Sequence, residues 1–66
     1  MPQTFEELAH MLAERDGLTY DEELNIIKET AAELEFAFYD GNVDEAEDIL
    51  AANLGLEPDY LFIFIY

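Results

Sequence analysis

The residue best suited to chemistry in this sequence is its single histidine, His10, which has Glu6 and Glu14 at helical spacing on either side. A Glu–His–Glu face could hold a metal ion weakly, but known sites use richer ligand sets. Such trios are more often solvated helix faces with minor i,i+4 pairing. We therefore predict no metal site and no cofactor.

A second candidate is the segment 40–44, Asp-Gly-Asn-Val-Asp, which matches the first half of a calcium loop. The sixth loop position should be glycine and is Glu45, and the twelfth should be glutamate and is Ala51. Asn42 is better explained as a helix cap and Asp44 as a first-turn acid. The segment is not an EF-hand.

The sequence contains no other motif typical of an enzyme active site. It contains no serine and no cysteine, and its three threonines are explained locally or lie in a helix without a nearby base. Carboxylates are abundant, but a general acid needs a cleft that raises its pKa, and short helices offer little room for one. No glycine-rich phosphate loop occurs. We predict that the protein is not an enzyme.

Charge is the strongest compositional signal. Seventeen acidic residues accompany only Arg15 and Lys28, which gives a formal net charge of −15. Direct binding to nucleic acid or to an anionic membrane needs many more basic residues. A basic protein surface is the natural complement, although the charge could instead serve solubility alone. The hydrophobic content of 52% is too high for a disordered acidic tail.

The acidic residues form faces on the predicted helices. Carboxylates at i, i+3, i+4 and i+7 of a helix repeat every ~5–6 Å, which is comparable to the phosphate repeat along a DNA strand. Charge runs usually mark solvated faces, but a chain with two basic residues favours a functional interpretation. The predicted partner-binding residues are Glu22, Glu29, Glu33, Phe36, Asp40, Asp44, Glu45, Glu47 and Asp48.

The elements that position these faces are three amphipathic helices, and the fold class is all-α. Each helix is preceded by threonine or asparagine with glutamate three residues later, the capping-box pattern, and is followed by glycine. The predicted helices run from about Phe5 to Arg15, from Tyr20 to Tyr39 and from Val43 to Leu54. They form one domain over residues 1–66.

The long second helix organises the predicted core. Its apolar stripe consists of Leu24, Ile27, Ala31, Leu34 and Phe38, at steps of three and four residues. The other residues predicted to be buried are Phe5, Leu8, Leu12, Val43, Ile49, Leu50, Leu54 and Leu61.

The C-terminal segment is ambiguous. Pro58 suits the first turn of a short fourth helix, whereas the aromatic and β-branched residues of segment 60–66 prefer strands. We favour the helix, which completes the core or a homodimer. The residues predicted to self-associate are Tyr60, Phe62, Phe64 and Tyr66. The apolar run is too short to span a bilayer, and no signal peptide is recognised, so we expect a cytoplasmic protein.

Segments 40–50 and 54–61 resemble small acidic helical proteins encoded in phages and mobile elements of Gram-positive bacteria. Most such proteins have no assigned function. Those that do include anti-CRISPR and anti-restriction inhibitors, many of which mimic nucleic acid. The resemblance carries no catalytic residue onto this chain, and it implies a phage setting and an inhibitory role.

Two functions are therefore predicted. The first is an acidic inhibitor that occupies a basic surface of a host nuclease as a nucleic-acid mimic. The alternative is a small dimeric structural or regulatory module with an unknown partner, whose charge serves solubility only.

Overall fold

The computed structural model describes residues 1–65 and confirms the all-α fold. Its helices are α1 (Phe5–Asp16), α2 (Tyr20–Tyr39), α3 (Val43–Leu54), a 3-10 helix (Pro58–Leu61) and α4 (Phe62–Ile65). No strand occurs in this part of the chain. The molecule measures 33 × 20 × 17 Å, and α2 runs through its middle in contact with both α1 and α3.

Side-chain caps set the start of each main helix as predicted. The Thr19 hydroxyl accepts a hydrogen bond from the Glu22 backbone N–H at 3.1 Å, and the Glu22 carboxylate accepts one from the Thr19 N–H at 3.1 Å. Thr4 caps α1 and Asn42 caps α3 through the same backbone contact. Only the end of α1 differs, by one residue, since the helix continues through Asp16 to a left-handed Gly17.

The buried face of α2 differs from the predicted stripe. Ile27 and Leu34 are buried as expected, but Leu24, Ala31 and Phe38 are only half-buried. The other fully buried residues of α2 are Glu23, Thr30 and Ala37. At 100° per residue, the centre of the buried face lies about 60° from the predicted one. The reason is that α2 packs between α1 and α3, and Thr30 contacts Asn53 of α3.

Most of the remaining core was predicted, with one clear error. Val43 was expected to be buried but is 56% exposed, because it is the first residue of α3, at the end of the helix. Phe5 and Ile49 are half-buried rather than buried. The predicted residues that are buried are Leu8, Leu12, Ile27, Leu34, Leu50, Leu54 and Leu61. Ala46, on the predicted apolar face of α3, is buried as well, and the further buried apolar residues are Ala9, Ala37, Leu56 and Ile63.

The C-terminal segment is helical, which confirms the preferred alternative. Pro58 lies in the first turn of the 3-10 helix, and Leu61 and Ile63 are buried against the core. The segment needs no strand partner because its apolar side chains pack on the helical core. Within residues 1–65, no helix is long and apolar enough to cross a membrane.

Candidate partner-binding surfaces

The acidic residues of α2 form a stripe that ends in an aromatic side chain. Glu29, Glu33, Phe36 and Asp40 are separated by four, three and four residues, so they lie on one side of the helix. All four side chains are exposed, and Phe36 is 77% exposed. Glu22 continues the stripe two turns earlier, but its carboxylate is held in the capping box. That hydrogen bond from the Thr19 backbone lowers the pKa of Glu22.

One contact fixes this stripe beside α3. The Asn53 amide donates to the Glu33 carboxylate at 2.6 Å and lies 3.3 Å from the Thr30 hydroxyl. The Thr30 hydroxyl is itself buried and donates to the Ile26 carbonyl at 2.8 Å. The acidic edge of α2 is therefore held by a polar contact that links it to the C-terminal half of α3.

The acidic residues of α3 divide between two sides of that helix. Asp44, Glu45 and Asp48 are exposed on the side opposite the buried Ala46 and Leu50. Glu47 is half-buried and lies nearer the buried side, about 60° around the helix from Asp44. Glu45 also accepts from the Asn42 side chain at 3.2 Å, as part of the helix cap.

In the described part of the chain, these carboxylates form no salt bridge with a cation. The only salt bridge between residues 1 and 65 joins Arg15 to Asp16, with the guanidinium Nε 2.7 Å from Oδ1. Arg15 also donates to the Leu54 carbonyl at 2.6 Å and to the Gly55 carbonyl at 3.4 Å. The arginine therefore joins the end of α1 to the end of α3, away from the acidic faces.

A buried carboxyl group lies next to this arginine and was not predicted. Glu23 is 1% exposed, and its Oε2 has no hydrogen-bond partner within the described chain. Burial raises the pKa of Glu23 to about 7, and a hydrogen bond to Asp16 acts in the same direction. The hydrogen bond from Arg15, and next the one from Glu23, lower the pKa of Asp16. The sequence signal was available, because Glu23 extends the Ile27–Leu34 stripe by four residues.

The C-terminal aromatic residues lie against the protein's own core. The Phe5 and Phe64 ring centroids are 5.3 Å apart, and the Tyr60 hydroxyl lies 4.0 Å from the Met11 sulfur. Phe62 is also half-buried against the core. Tyr66, the fourth residue predicted to self-associate, lies outside the described residues. Dimerisation through this segment stays a prediction.

On the Glu6–His10–Glu14 face, the contact that the structure shows is between two aromatic rings. The His10 ring stacks on Tyr20, with centroids 4.4 Å apart and planes inclined by 30°. Within the described part of the chain, no group of three His, Cys, Asp or Glu residues is close enough to hold a metal ion. The stacking connects α1 to the start of α2.

No family model matches the chain, and no similarity to curated proteins or solved structures is found. The resemblance of segments 40–50 and 54–61 to small acidic phage proteins therefore stays a prediction. The functional argument depends on the surfaces described above.

Proposed function

We propose that this protein is a non-enzymatic acidic binding protein that occupies a basic, nucleic-acid-binding surface of another protein. The observation that carries the proposal is the number of exposed carboxylates on α2 and α3 that form no salt bridge within residues 1–65. If the partner is a nuclease, an acidic protein that occupies its nucleic-acid-binding surface would inhibit it. An anti-CRISPR or anti-restriction role is the narrower form of the proposal, and it depends on the predicted phage setting.

The arrangement of the carboxylates supports this function over a purely solubilising one. A rigid helix keeps Glu29 and Glu33 one turn apart, and the Asn53 contact holds Glu33 beside α3. Carboxylates fixed at phosphate-like spacing satisfy a row of lysines and arginines without the ordering cost that a flexible acidic tail would pay. If the charge served solubility alone, the carboxylates would not need fixed positions.

Competition with duplex DNA tests the proposal. The protein is titrated into complexes of a labelled duplex with each of several basic nucleases, and fluorescence anisotropy reports displacement. We expect displacement of DNA from a subset of these nucleases, with a direct affinity that falls steeply as salt rises from about 50 to 300 mM.

Two quadruple variants with the same loss of charge make the test specific for the α3 face. The test variant is D44N/E45Q/E47Q/D48N, and the control variant is E6Q/E14Q/E57Q/D59N. We expect the test variant to lose about tenfold or more in affinity, while the control loses about twofold or less. Equal losses would show that only the total charge matters, and the mimic proposal would then fail.

A second candidate function is a dimeric interaction module, favoured by the exposed apolar residues Phe36, Tyr39 and Ile65. This candidate predicts concentration-dependent self-association that Phe64→Asp or Phe62→Asp abolishes. Because Phe64 also packs on Phe5, each variant needs a far-UV circular dichroism control for folding.

A further inference from the structure

Six large apolar side chains are exposed within residues 1–65, and the three that include both aromatic rings lie near one end of the molecule. Tyr39 is 92% exposed, Phe36 77% and Ile65 61%, and all three belong to the last turn of α2 or to α4. We call this surface the aromatic end and define it as Phe36, Phe38, Tyr39, Phe64 and Ile65. A cluster of this kind is unusual on a small monomer and marks a contact surface.

The aromatic end contains two adjoining depressions. One, of about 670 Å³, is lined by Phe38, Tyr39, Phe64, Ile65 and Glu35. The other, of about 500 Å³, is lined by Phe36, Tyr39, Glu35 and Asp40. Tyr39 and Glu35 line both, so the two depressions share an aromatic ring and a carboxylate.

The rim of these depressions is negatively charged, and none of its carboxylates forms a salt bridge within residues 1–65. Glu35 and Asp40 supply two carboxylates, and the C-terminal end of α2 adds the negative end of the helix dipole. The last turn of α2 contains no basic residue. Lys28 lies seven residues before Glu35, about 10 Å along the helix axis, and Arg15 is bonded to Asp16 and to the end of α3.

We propose that the aromatic end binds an apolar segment of a partner protein that carries arginine. An arginine guanidinium stacks on aromatic rings and donates to carboxylates from the same planar group. Glu35 and Tyr39 form one acid–aromatic pair at i,i+4, and Phe36 and Asp40 form a second beside it. Each pair offers one carboxylate and one ring to a guanidinium, while the two depressions accept neighbouring aliphatic side chains.

Charge argues against a second copy of this chain as the occupant. A symmetric dimer places the same patch of both subunits face to face. The carboxylates of Glu35 and Asp40 would then be present on both sides of one interface, and each subunit carries a net charge of −15. A cationic partner removes that repulsion, whereas self-association increases it.

This surface shares Phe36 and Asp40 with the acidic stripe of α2, but it contains none of the α3 carboxylates on which the test of the proposed function depends. The α3 carboxylates attract any dense row of cations, whereas the aromatic end requires cationic and apolar groups together. The proposal here does not depend on nucleic-acid mimicry, and the two fail independently.

Designed peptides test the proposal directly. The probe is a fluorescein-labelled helical peptide of about 18 residues, with leucine along one face and arginine along the other. One matched peptide replaces leucine by glutamine and keeps the charge, and a second replaces arginine by glutamine and keeps the apolar face. We expect the wild-type protein to bind the leucine–arginine peptide at least about tenfold more tightly than either matched peptide.

Variants locate the binding surface. F36S/Y39S should weaken binding of the leucine–arginine peptide about tenfold or more, and E35Q/D40N should weaken it severalfold. The α3 variant D44N/E45Q/E47Q/D48N should bind this peptide within about threefold of wild type, even if nuclease binding is lost. These substitutions alter exposed side chains except half-buried Glu47, and circular dichroism confirms that each variant is folded.

Three results would overturn the proposal. The first is equal affinity for the leucine–arginine and glutamine–arginine peptides, which would mean that only net charge attracts the probe. The second is unchanged binding by the folded F36S/Y39S variant. The third is a wild-type dimer in sedimentation velocity that F36S/Y39S converts to a monomer, which would assign the surface to a second copy.

Discussion

The buried carboxyl group of Glu23 should make the stability of this protein depend on pH between about 4.5 and 7. At the lower end of this range, the carboxyl begins to ionise in the unfolded chain while the folded protein keeps its proton. Each further rise in pH then favours unfolding, until Glu23 also ionises in the folded state near pH 7. Stability is therefore highest near or below the ordinary pKa of glutamate and is lost as the pH rises through this window.

The size of the effect follows from the change in pKa. Burial raises the pKa of Glu23 from an ordinary 4.5 to about 7, and each unit corresponds to about 1.4 kcal/mol. Ionisation therefore costs the folded protein at most about 3 kcal/mol. This value is an upper bound, because local opening of the α1–α2 junction would rehydrate the carboxylate and so lower the cost of its ionisation.

Glu23→Gln isolates this contribution, because the amide keeps the shape of the side chain and cannot ionise. Near pH 8 we expect the variant to be more stable than wild type by up to about 3 kcal/mol, and near pH 4.5 the two should be nearly equal. Urea unfolding followed by far-UV circular dichroism across this range measures the difference directly.

Glu29→Gln is the matched control, because it removes one charge from an exposed position on the same helix. It reports the general relief of repulsion in a chain of net charge −15. Parallel stability curves for wild type and Glu23→Gln between about pH 5 and 7.5 would refute the reasoning. They would mean that Glu23 is hydrated or paired in solution.

Three further substitutions test the packing. Arg15→Gln should lower the free energy of unfolding by about 1–2 kcal/mol, because the bond to the Leu54 carbonyl is lost, whereas Lys28→Gln should change it little. Leu34→Ala should lower it by about 2–5 kcal/mol, since Leu34 is fully buried. Gly55→Ala should cost about 1 kcal/mol, because Gly55 has φ +63° and alanine is strained there. Urea midpoints measure all four, and wild-type stability in any of the three test variants contradicts its stated contact.

Helix bounds could be predicted from the sequence because their causes are local. Thr19 and Asn42 cap their helices through residues three positions away, and the glycines at the helix ends are also local signals.

The orientation of α2 could not be predicted in the same way. Its apolar side chains define one stripe, but which side is buried depends on the position of α3. Thr30 is buried on that side and contacts Asn53 of α3.

The candidate surfaces were predictable to a similar extent. Phe36 was predicted to be exposed because it lies off the apolar stripe, and the structure confirms its exposure. The exposure of Tyr39 was not predicted, since the sequence is equally consistent with a buried position for a large aromatic residue at a helix end. Glu23 was missed because a carboxylate is assigned to the surface by default. The pairing of Glu33 with Asn53 depends on the packing of two helices and leaves no signature in either segment.

Phe36 connects the two proposed surfaces, and this leads to a kinetic prediction. The residue ends the acidic stripe of α2 and also lines a depression of the aromatic end. If one partner contacts both surfaces, charge and apolar contact should control different rate constants. Exposed carboxylates accelerate encounter with a basic protein, whereas a buried aromatic anchor slows dissociation.

For a nuclease identified by DNA displacement, D44N/E45Q/E47Q/D48N should mainly lower the association rate and its dependence on salt. Phe36→Ser should mainly raise the dissociation rate, by about tenfold. Surface plasmon resonance at two salt concentrations separates the two effects. An unchanged dissociation rate for folded Phe36→Ser would show that the nuclease contacts the carboxylates alone, and the aromatic end would then serve a different partner.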